Sequence, residues 1–433
     1  MVSSDLVLVC IAGPDKGKRL IVGEAELILG RSPDANLLSD DPDVVERAAA
    51  LSKDGETIVM RALTSSLPFV DGHPSADARL SPGRQIRFGR SFWEVHAPGS
   101  STSAGMLGLV SRIGDHISEA AGIEKPREWS PRTMFSEVVA RHTDEEVEEY
   151  FTVGTPRTTP SLSEIDTAWP RPWVFVRVLV MSLILYGVFV GAWREFGNTN
   201  LIPGLIMVGS VAIPFALLIF FFEMNAPRNI SLYQVIKLLL LGGIVSILIS
   251  LFGFRWTELS NWMGAASAGI IEETGKGLAL LLVINRPRFR WTLNGLLLGA
   301  AVGAGFAVFE TAGYALQFGL NYGDVAMFSV LRERGFLSLF GGHVLWTALV
   351  GAALWRVRGS APFRFEMLAA PAFLRVFAVC VVLHMAWNWS GFAELPFYGK
   401  YILLGTVAWL LILGMIQVGL GEISDVQQNS TDR

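Results

Sequence analysis

The chain has 433 residues, 51% of them hydrophobic and only 17% charged, against about 25% charged in an ordinary soluble protein. Residues 1–170 carry 26 acidic and 17 basic residues, whereas residues 171–433 carry 13 and 18 and hold the long apolar runs. These figures exclude a soluble secreted enzyme, make the acidic N-terminal third a poor partner for nucleic acid, and with only two cysteines, Cys10 and Cys380, leave no disulfide framework.

In chain order, residues 6–95 alternate short apolar segments with turns, at Leu6–Ile11, Arg19–Val22, Leu27–Leu29, Thr57–Arg61, Gln85–Phe88 and Phe92–Val95. That pattern predicts an all-β sandwich over residues 1–97. The stretches Leu27-Ile28-Leu29-Gly30-Arg31, Phe69-Val70-Asp71-Gly72 and Leu80-Ser81-Pro82-Gly83-Arg84-Gln85-Ile86-Arg87-Phe88-Gly89 resemble a forkhead-associated (FHA) domain. The resemblance implies phosphothreonine binding through an Arg, a Ser-Arg-x-x-His-like turn and an Asn. Arg31 matches the first; Val44-Val45-Glu46-Arg47-Ala48 has neither the Ser nor the His; Ser66 stands where the Asn would be. A phosphate needs several charge-assisted donors, and Glu46 opposes Arg31. The expectation is therefore a degenerate FHA-like module, docking a cytoplasmic protein partner in preference to reading phosphothreonine.

Residues 98–171 predict a flexible, acidic cytoplasmic linker. Pro98–Gly105 is rich in Ser, Gly and Pro, and Thr152–Thr167 in Thr and Pro. Between them the run Asp144-Glu145-Glu146-Val147-Glu148-Glu149 suits a solvated helix.

A bilayer core of about 30 Å needs roughly 20 apolar residues per helix. Residues 172–421 offer about eight such stretches, near 173–193, 201–222, 232–253, 266–284, 291–318, 336–356, 370–391 and 397–420. The fold class is thus an N-terminal β-sandwich followed by an all-α polytopic membrane domain, with residues 422–433 as a disordered tail. With an even number of spans, one set of loops carries Arg171, Arg228, Arg286, Arg288, Arg290, Arg356, Arg358 and Arg364, and the other Arg194, Arg255, Arg332, Arg334 and Lys400. The bias places both termini in the cytoplasm of a multi-pass plasma-membrane protein.

Ionisable residues within membrane helices are costly and default to functional candidates. Here Glu272, Glu273 and Lys276 lie on the fourth stretch, Glu310 on the fifth, His343 on the sixth, and His384 with Asn388 on the seventh. Counted along alternating helices, Glu272, Glu310, His343 and His384 all fall roughly 9–12 Å below the outer boundary. Glu272 and Lys276 share a helix face at i,i+4 and would neutralise each other, with Glu273 about 100° away. Phe306 stands one turn before Glu310, and His384 one turn before Asn388. Glycines 299, 303, 305, 341 and 342 would let backbones approach closely. A carboxylate with histidines can activate water as a general base or through a bound metal, and Asn388 with one histidine could stabilise an oxyanion.

The ordered motifs Glu272-Glu273-Thr274-Gly275-Lys276, Phe306-Ala307-Val308-Phe309-Glu310, His343 and His384-Met385-Ala386-Trp387-Asn388 resemble the PrsW family of intramembrane proteases, related to type II CAAX prenyl endopeptidases. The resemblance covers about residues 171–420. It implies an intramembrane endopeptidase cleaving membrane-anchored protein substrates, such as anti-sigma-factor-like regulators, near the outer leaflet. The family's first glutamate falls on Glu272, the second acid on Glu310, and the histidines on His343 and His384. Glu273 and Asn388 complete the expected catalytic set, with Lys276 and Phe306 in support. A divalent metal, Zn2+ first, would be held by Glu310, His343 and His384; a glutamate-activated water without metal stays open beside it. An ion-coupled membrane transporter and a non-catalytic membrane scaffold are the alternatives, and for the transporter no inverted repeat is found.

Overall fold

The computed structural model describes residues 6–65, 67–70, 73–96, 116–123, 131–389 and 399–431. Ser66, Asp71, Gly72 and the Pro98–Gly105 stretch lie outside the described residues. The chain divides into two compact units, Met1–Gly108 and Leu109–Arg433.

In the first unit, strict alternation sends Leu6, Leu8 and Cys10 inward from one strand and Trp93 and Val95 from its neighbour. Two sheets result. One has six strands, in the order Arg19–Val22, Leu6–Ala12, Ser91–His96, Gln85–Phe88, Phe69–Val70 and His73–Pro74. The other has five, in the order Leu37–Leu38, Leu27–Gly30, Ala49–Asp54, Thr57–Ala62 and Asp77–Leu80. Leu8, Leu29, Leu51, Ile58, Met60, Leu80 and Trp93 fill a single core. The strand Ala49–Asp54 escapes a hydropathy reading because small alanines and Ser52-Lys53-Asp54 dilute it, although its pairing with Thr57–Ala62 runs over six residue pairs.

Two buried aspartates brace the loops of this unit. Asp15 accepts from Ser39 Oγ and from the Asp40 N–H (2.7 Å), and pairs with Lys18 at 2.9 Å. Asp41 accepts from the N–H groups of Asp43 (3.0 Å) and Arg90 (2.7 Å) and from Ser91 Oγ (2.8 Å). Burial pushes both carboxyls up, and these donors outweigh it, so each lies below the ordinary aspartate value.

The second unit begins before the apolar runs. Thr143 caps helix α1 (Asp144–Phe151) in a reciprocal box with Glu146. The His142 ring stacks on Trp173 with centroids 3.7 Å apart, and Tyr150 meets the same indole edge-on. Downstream, Gln427 Nε2 donates to the carbonyls of Leu162 (2.7 Å) and Ile165 (2.9 Å), and Trp169 Nε1 donates to Gln417. Residues 131–171, expected as part of a flexible linker, are therefore packed: aromatic stacking and side-chain amides satisfy a backbone that composition alone leaves free.

The long helices are α2 (Val174–Phe196), α3 (Ile202–Met224), α4 (Leu232–Thr257), α5 (Ser267–Ala279), α6 (Thr292–Tyr322), α7 (Asp324–Val330), α8 (His343–Arg358), α9 (Pro371–Asn388) and α10 (Gly399–Thr431). Among the described residues seven helical runs are long and apolar enough to cross a membrane, not eight. The difference is α5, whose 13 residues reach only about 20 Å at the α-helical rise. Gly264 (φ +57°) and single 3-10 turns bracket it, and its own glycines trade length for close contact. A Cβ on Gly275 would come within 2.6 Å of Ser250 Oγ on α4, and one on Gly269 within 2.8 Å of the Val381 carbonyl on α9.

Helix α8 also differs from expectation. It starts at His343, preceded by a π-helical turn over Leu331–Phe336 and a 3-10 turn over Leu337–Leu339. At the other terminus, residues 422–431 continue α10, where Glu422 accepts from the Thr292 N–H at 2.9 Å. The expected disordered tail is thus helical to Thr431, because its polar residues bond inward.

Helices α6 and α8 meet along a glycine seam. A Cβ on Gly295, Gly299 or Gly303 would collide with the backbone of Gly351, Thr347 or His343 respectively. At the Arg-rich end, Asn294 donates to Asn225 (2.8 Å) and Asn229 (2.7 Å), and Arg358 donates to the carbonyls of Ile284 and Phe289. Side-chain amides and the Arg358 guanidinium thus tie the helix ends together here.

Candidate active site

Four helices and the π-helical turn converge on one buried cluster. Helix α5 carries Glu272, Glu273 and Lys276, exposed by 5%, 0% and 0%. Lys276 Nζ donates to Glu273 Oε1 at 2.5 Å, while Glu272 Oε2 is 4.0 Å away. The expected Glu272–Lys276 neutralisation is therefore weaker than the i,i+3 pair with Glu273. The reason is the company each carboxylate keeps: Glu273 Oε1 is fixed by His384 Nδ1, and from it the lysine also reaches His343 Nδ1.

The histidines join the cluster from α8 and α9. Lys276 Nζ also lies 2.8 Å from His343 Nδ1, and His343 Nε2 lies 2.9 Å from Glu310 Oε2 on α6. His384 Nδ1 is 2.9 Å from Glu273 Oε1, and its Nε2 is 3.7 Å from Glu272 Oε2. Trp346 stacks on the His384 ring with centroids 4.4 Å apart, which fixes the imidazole plane. Phe306 packs 4.9 Å from His343 and lies 4.6 Å below the Lys276 ammonium, a cation–π contact as well as a wall.

An ammonium has only protons to give, so His343 Nδ1 accepts and His343 Nε2 donates to Glu310. At His384 the order is reversed: Nδ1 donates to Glu273, and Nε2 keeps its lone pair toward Glu272. Both Glu272 Oε2 and Glu273 Oε2 are buried without a hydrogen-bond partner. An orphaned carboxylate oxygen in such a site is expensive unless something else supplies a proton or a charge.

Glu272, Phe306, Glu310, His343, His384 and Asn388 line one cavity of about 1080 Å³. Asn388 stands on its wall one turn beyond His384, at the end of α9. The cavity combines apolar walls with a few convergent polar groups, the usual composition of a binding site. Irregular backbone is tolerated at membrane depth where it lines such a cavity, and Arg334, Leu337 and Ser338 do so here.

Arg334 and Trp346 are absent from the sequence-predicted set. Arg334, counted there as a loop arginine, donates to Glu310 Oε2 and lies 4.5 Å over the Tyr314 ring. Nothing in the local sequence marks it, because its partner is 24 residues away. Trp346 was legible in principle, one turn after His343 on the same face. Arg31 lies in the other unit, exposed, with its Nε donating to the Val44 carbonyl at 2.5 Å.

For a metal, the geometry forms the group Glu272, His343 and His384, with one ligand atom from each lying within 4.8 Å of the others. Glu310, expected in that group, instead holds His343 from behind, as Glu273 holds His384. Two imidazoles and one carboxylate are a fitting donor set for zinc, and carboxylates on the far imidazole nitrogens are the usual support. The orphaned Glu272 Oε2 is consistent with that fit.

Fold and site together define a multi-pass helical membrane protein with an acid–imidazole centre, backed by a buried ammonium, on the wall of an open cavity. Residues 228–416 match the family model described as PrsW family intramembrane metalloprotease. The N-terminal region resembles FHA domains. One such structure, described by its phosphothreonine-dependent FHA interactions, is 26% identical and aligns over 22% of this chain and 96% of its own, with a TM-score of 0.20. The FHA domain of a Chlamydia trachomatis protein is 16% identical over 22% of this chain and 97% of its own, with a TM-score of 0.21. The yeast Dun1 FHA domain, solved with a doubly phosphorylated peptide, is 20% identical over 23% of this chain and 79% of its own, with a TM-score of 0.20. No curated protein matches the chain.

Proposed function

We propose that the protein is an intramembrane endopeptidase cleaving membrane-anchored protein substrates, with anti-sigma-factor-like regulators as the leading class. The single observation that carries this reading is the unpartnered Glu272 Oε2 standing 3.7 Å from His384 Nε2, on residues that line the cavity. A water held between them gives one proton to Glu272, acting as general base, and its oxygen attacks the scissile carbonyl. The Asn388 carboxamide donates to the developing oxyanion, and protonated Glu272 then delivers its proton to the leaving amine. Glu273 fixes the His384 tautomer, while Arg334, Glu310 and His343 hold the far wall. A divalent cation on Glu272, His343 and His384 would supply Lewis-acid polarisation of water and carbonyl; Zn2+ suits the donors best.

The same reading puts the cavity toward the outer leaflet and both termini in the cytoplasm, with the short α5 taken as a return pass between α4 and α6, which begin at the same end with Asn229 against Asn294. It is supported by the arginines at the opposite helix ends, among them Arg286, Arg288, Arg290 and Arg356. The FHA-like unit would recruit a cytoplasmic protein partner.

The test is cleavage of a single-span reporter by the full chain in proteoliposomes. Glu272→Gln is expected to slow cleavage by a factor on the order of 10² to 10⁴, with Glu195→Gln on an exposed helix end as an unchanged control. Full activity in Glu272→Gln would sink the proposal.

A further inference from the structure

We infer that Lys276 is a tethered cation guarding the centre: its ammonium and a divalent ion compete for one lone pair, that of His343 Nδ1. The inference rests on reading Glu272, His343 and His384 as the metal group, and it assigns a role to a residue behind that group.

A neutral imidazole has a single lone pair. On His343 it points at Lys276 Nζ, 2.8 Å away, because the other ring nitrogen is engaged with Glu310. A zinc ion would need to stand about 2.0–2.1 Å from that same nitrogen. It cannot do so while the ammonium holds the lone pair. With Lys276 in place, the ligand set is therefore reduced to two open atoms, Glu272 Oε2 and His384 Nε2.

The lysine keeps a partner if it gives up His343: Glu273 Oε1 already accepts from it at 2.5 Å, and the orphaned Glu273 Oε2 is a second acceptor. Retreat onto Glu273 leaves no buried charge unpaired, so the exchange avoids the main penalty of moving a buried ion. Glu272, His343 and His384 line the cavity, while Lys276 is fully buried behind them. The ion therefore enters from the open side, and the lysine yields on the closed side.

Charge supports the competition. Besides the two imidazoles, Glu272, Glu273 and Glu310 face two cations among the described residues of the cluster, Lys276 and Arg334. A dication added beside the ammonium repels it, whereas one added where the ammonium has been removed meets one more uncompensated carboxylate charge and no repelling neighbour on Glu273. Lys276 thus sets how readily the centre loads, and it keeps the unloaded centre in the water-binding arrangement.

The experiment uses the full chain in nanodiscs, titrated with Co2+ and read by its visible ligand-field bands, with Zn2+ as competitor. Lys276→Met is expected to bind Co2+ on the order of ten- to hundredfold more tightly than wild type, the range over which outer-shell partners move metal affinity. Lys276→Arg, which keeps a cation, stays at the wild-type level. A lysine that only stabilises the fold would instead weaken metal binding in both variants. Equal affinity of wild type and Lys276→Met, or no Co2+ binding by Lys276→Met, overturns the inference. Should Lys276→Met fail to fold, ¹⁵N-histidine NMR of metal-free wild type decides the matter. It should show opposite tautomers, Nε2–H at His343 and Nδ1–H at His384, and like tautomers would refute the competition. Neither readout involves peptide cleavage, so each stands or falls separately from the protease reading.

Discussion

Asp15 and Asp41 in the β-sheet unit, exposed by 1% and 0%, are as deeply buried as Glu272 and Glu273 in the helical unit. The aspartates find donors within their own loops, from Ser39, Ser91, Lys18 and backbone N–H groups. The glutamates each keep an oxygen that nothing meets. A carboxylate matched on every side by its own fold is a brace and has nothing left to offer a ligand. Glu272, half-matched beside the His384 Nε2 lone pair and on the cavity wall, keeps its basicity for a guest, whereas Glu273 commits its other oxygen to Lys276 and His384 and acts as a brace. Burial alone does not separate these two uses; hydrogen-bond accounting does.

The sharpest way to break this comparison is to remove a matched partner inside the helical cluster. Glu273→Leu leaves the Lys276 ammonium without its 2.5 Å partner, and stripping one member of a buried pair costs about 3–5 kcal/mol. The expected result is a large drop in the thermal midpoint in detergent. Glu272→Gln, whose oxygen has no partner to lose, should leave that midpoint nearly unchanged. Equal losses in the two variants would erase the distinction between brace and reactant.

A smaller effect is expected at the seam. In Gly303→Ala the new methyl group meets the His343 carbonyl, and overpacking of this kind costs about 1–3 kcal/mol. Because His343 is the first residue of α8, cleavage should fall further than stability does. Unchanged cleavage would mean that His343 tolerates displacement.

The mildest test titrates the braces. Asp15 and Asp41 have folded-state pKa values lowered from the ordinary 3.8. Their contribution is therefore complete above the unfolded value and is lost as pH falls through the folded values. The urea midpoint of the segment 1–108, followed by Trp93, its single tryptophan, should fall on acidification below that range. Asp41→Asn should flatten the dependence, and an identical slope in the variant would show that Asp41 is not among the groups responsible.

Much of the centre was legible in the sequence because its residues stand out against an apolar background: two histidines, three glutamates and one lysine on four hydrophobic stretches can be seen without coordinates. Their partnerships were not. Lys276 faces both carboxylates on its own helix, and the choice of Glu273 depends on His384, 111 residues away. Arg334 was hidden by a turn whose π-helical geometry no hydropathy window reports. The short α5 was read as a full span because its glycines are apolar by count, yet they end a helix as readily as they pack one. In the β-sheet unit the strands with large inward residues were plain, while Ala49–Asp54, with alanines in the core, was not. The packed 131–171 segment and the helical end of α10 share one cause: polar side chains such as Gln427 and Glu422 look solvated until their distant acceptors or donors are in place.

The glycine seam between α6 and α8 has a consequence for how any protein chain could gain entry. With main chain against main chain along three successive turns, these two helices can neither shear nor separate by a little; they move together or break contact altogether. Admission of a bulky polypeptide must then rely on the large side chains of the chamber wall, among them Phe254, Phe309, Tyr314 and Trp387, which can rotate aside where the main chain cannot yield.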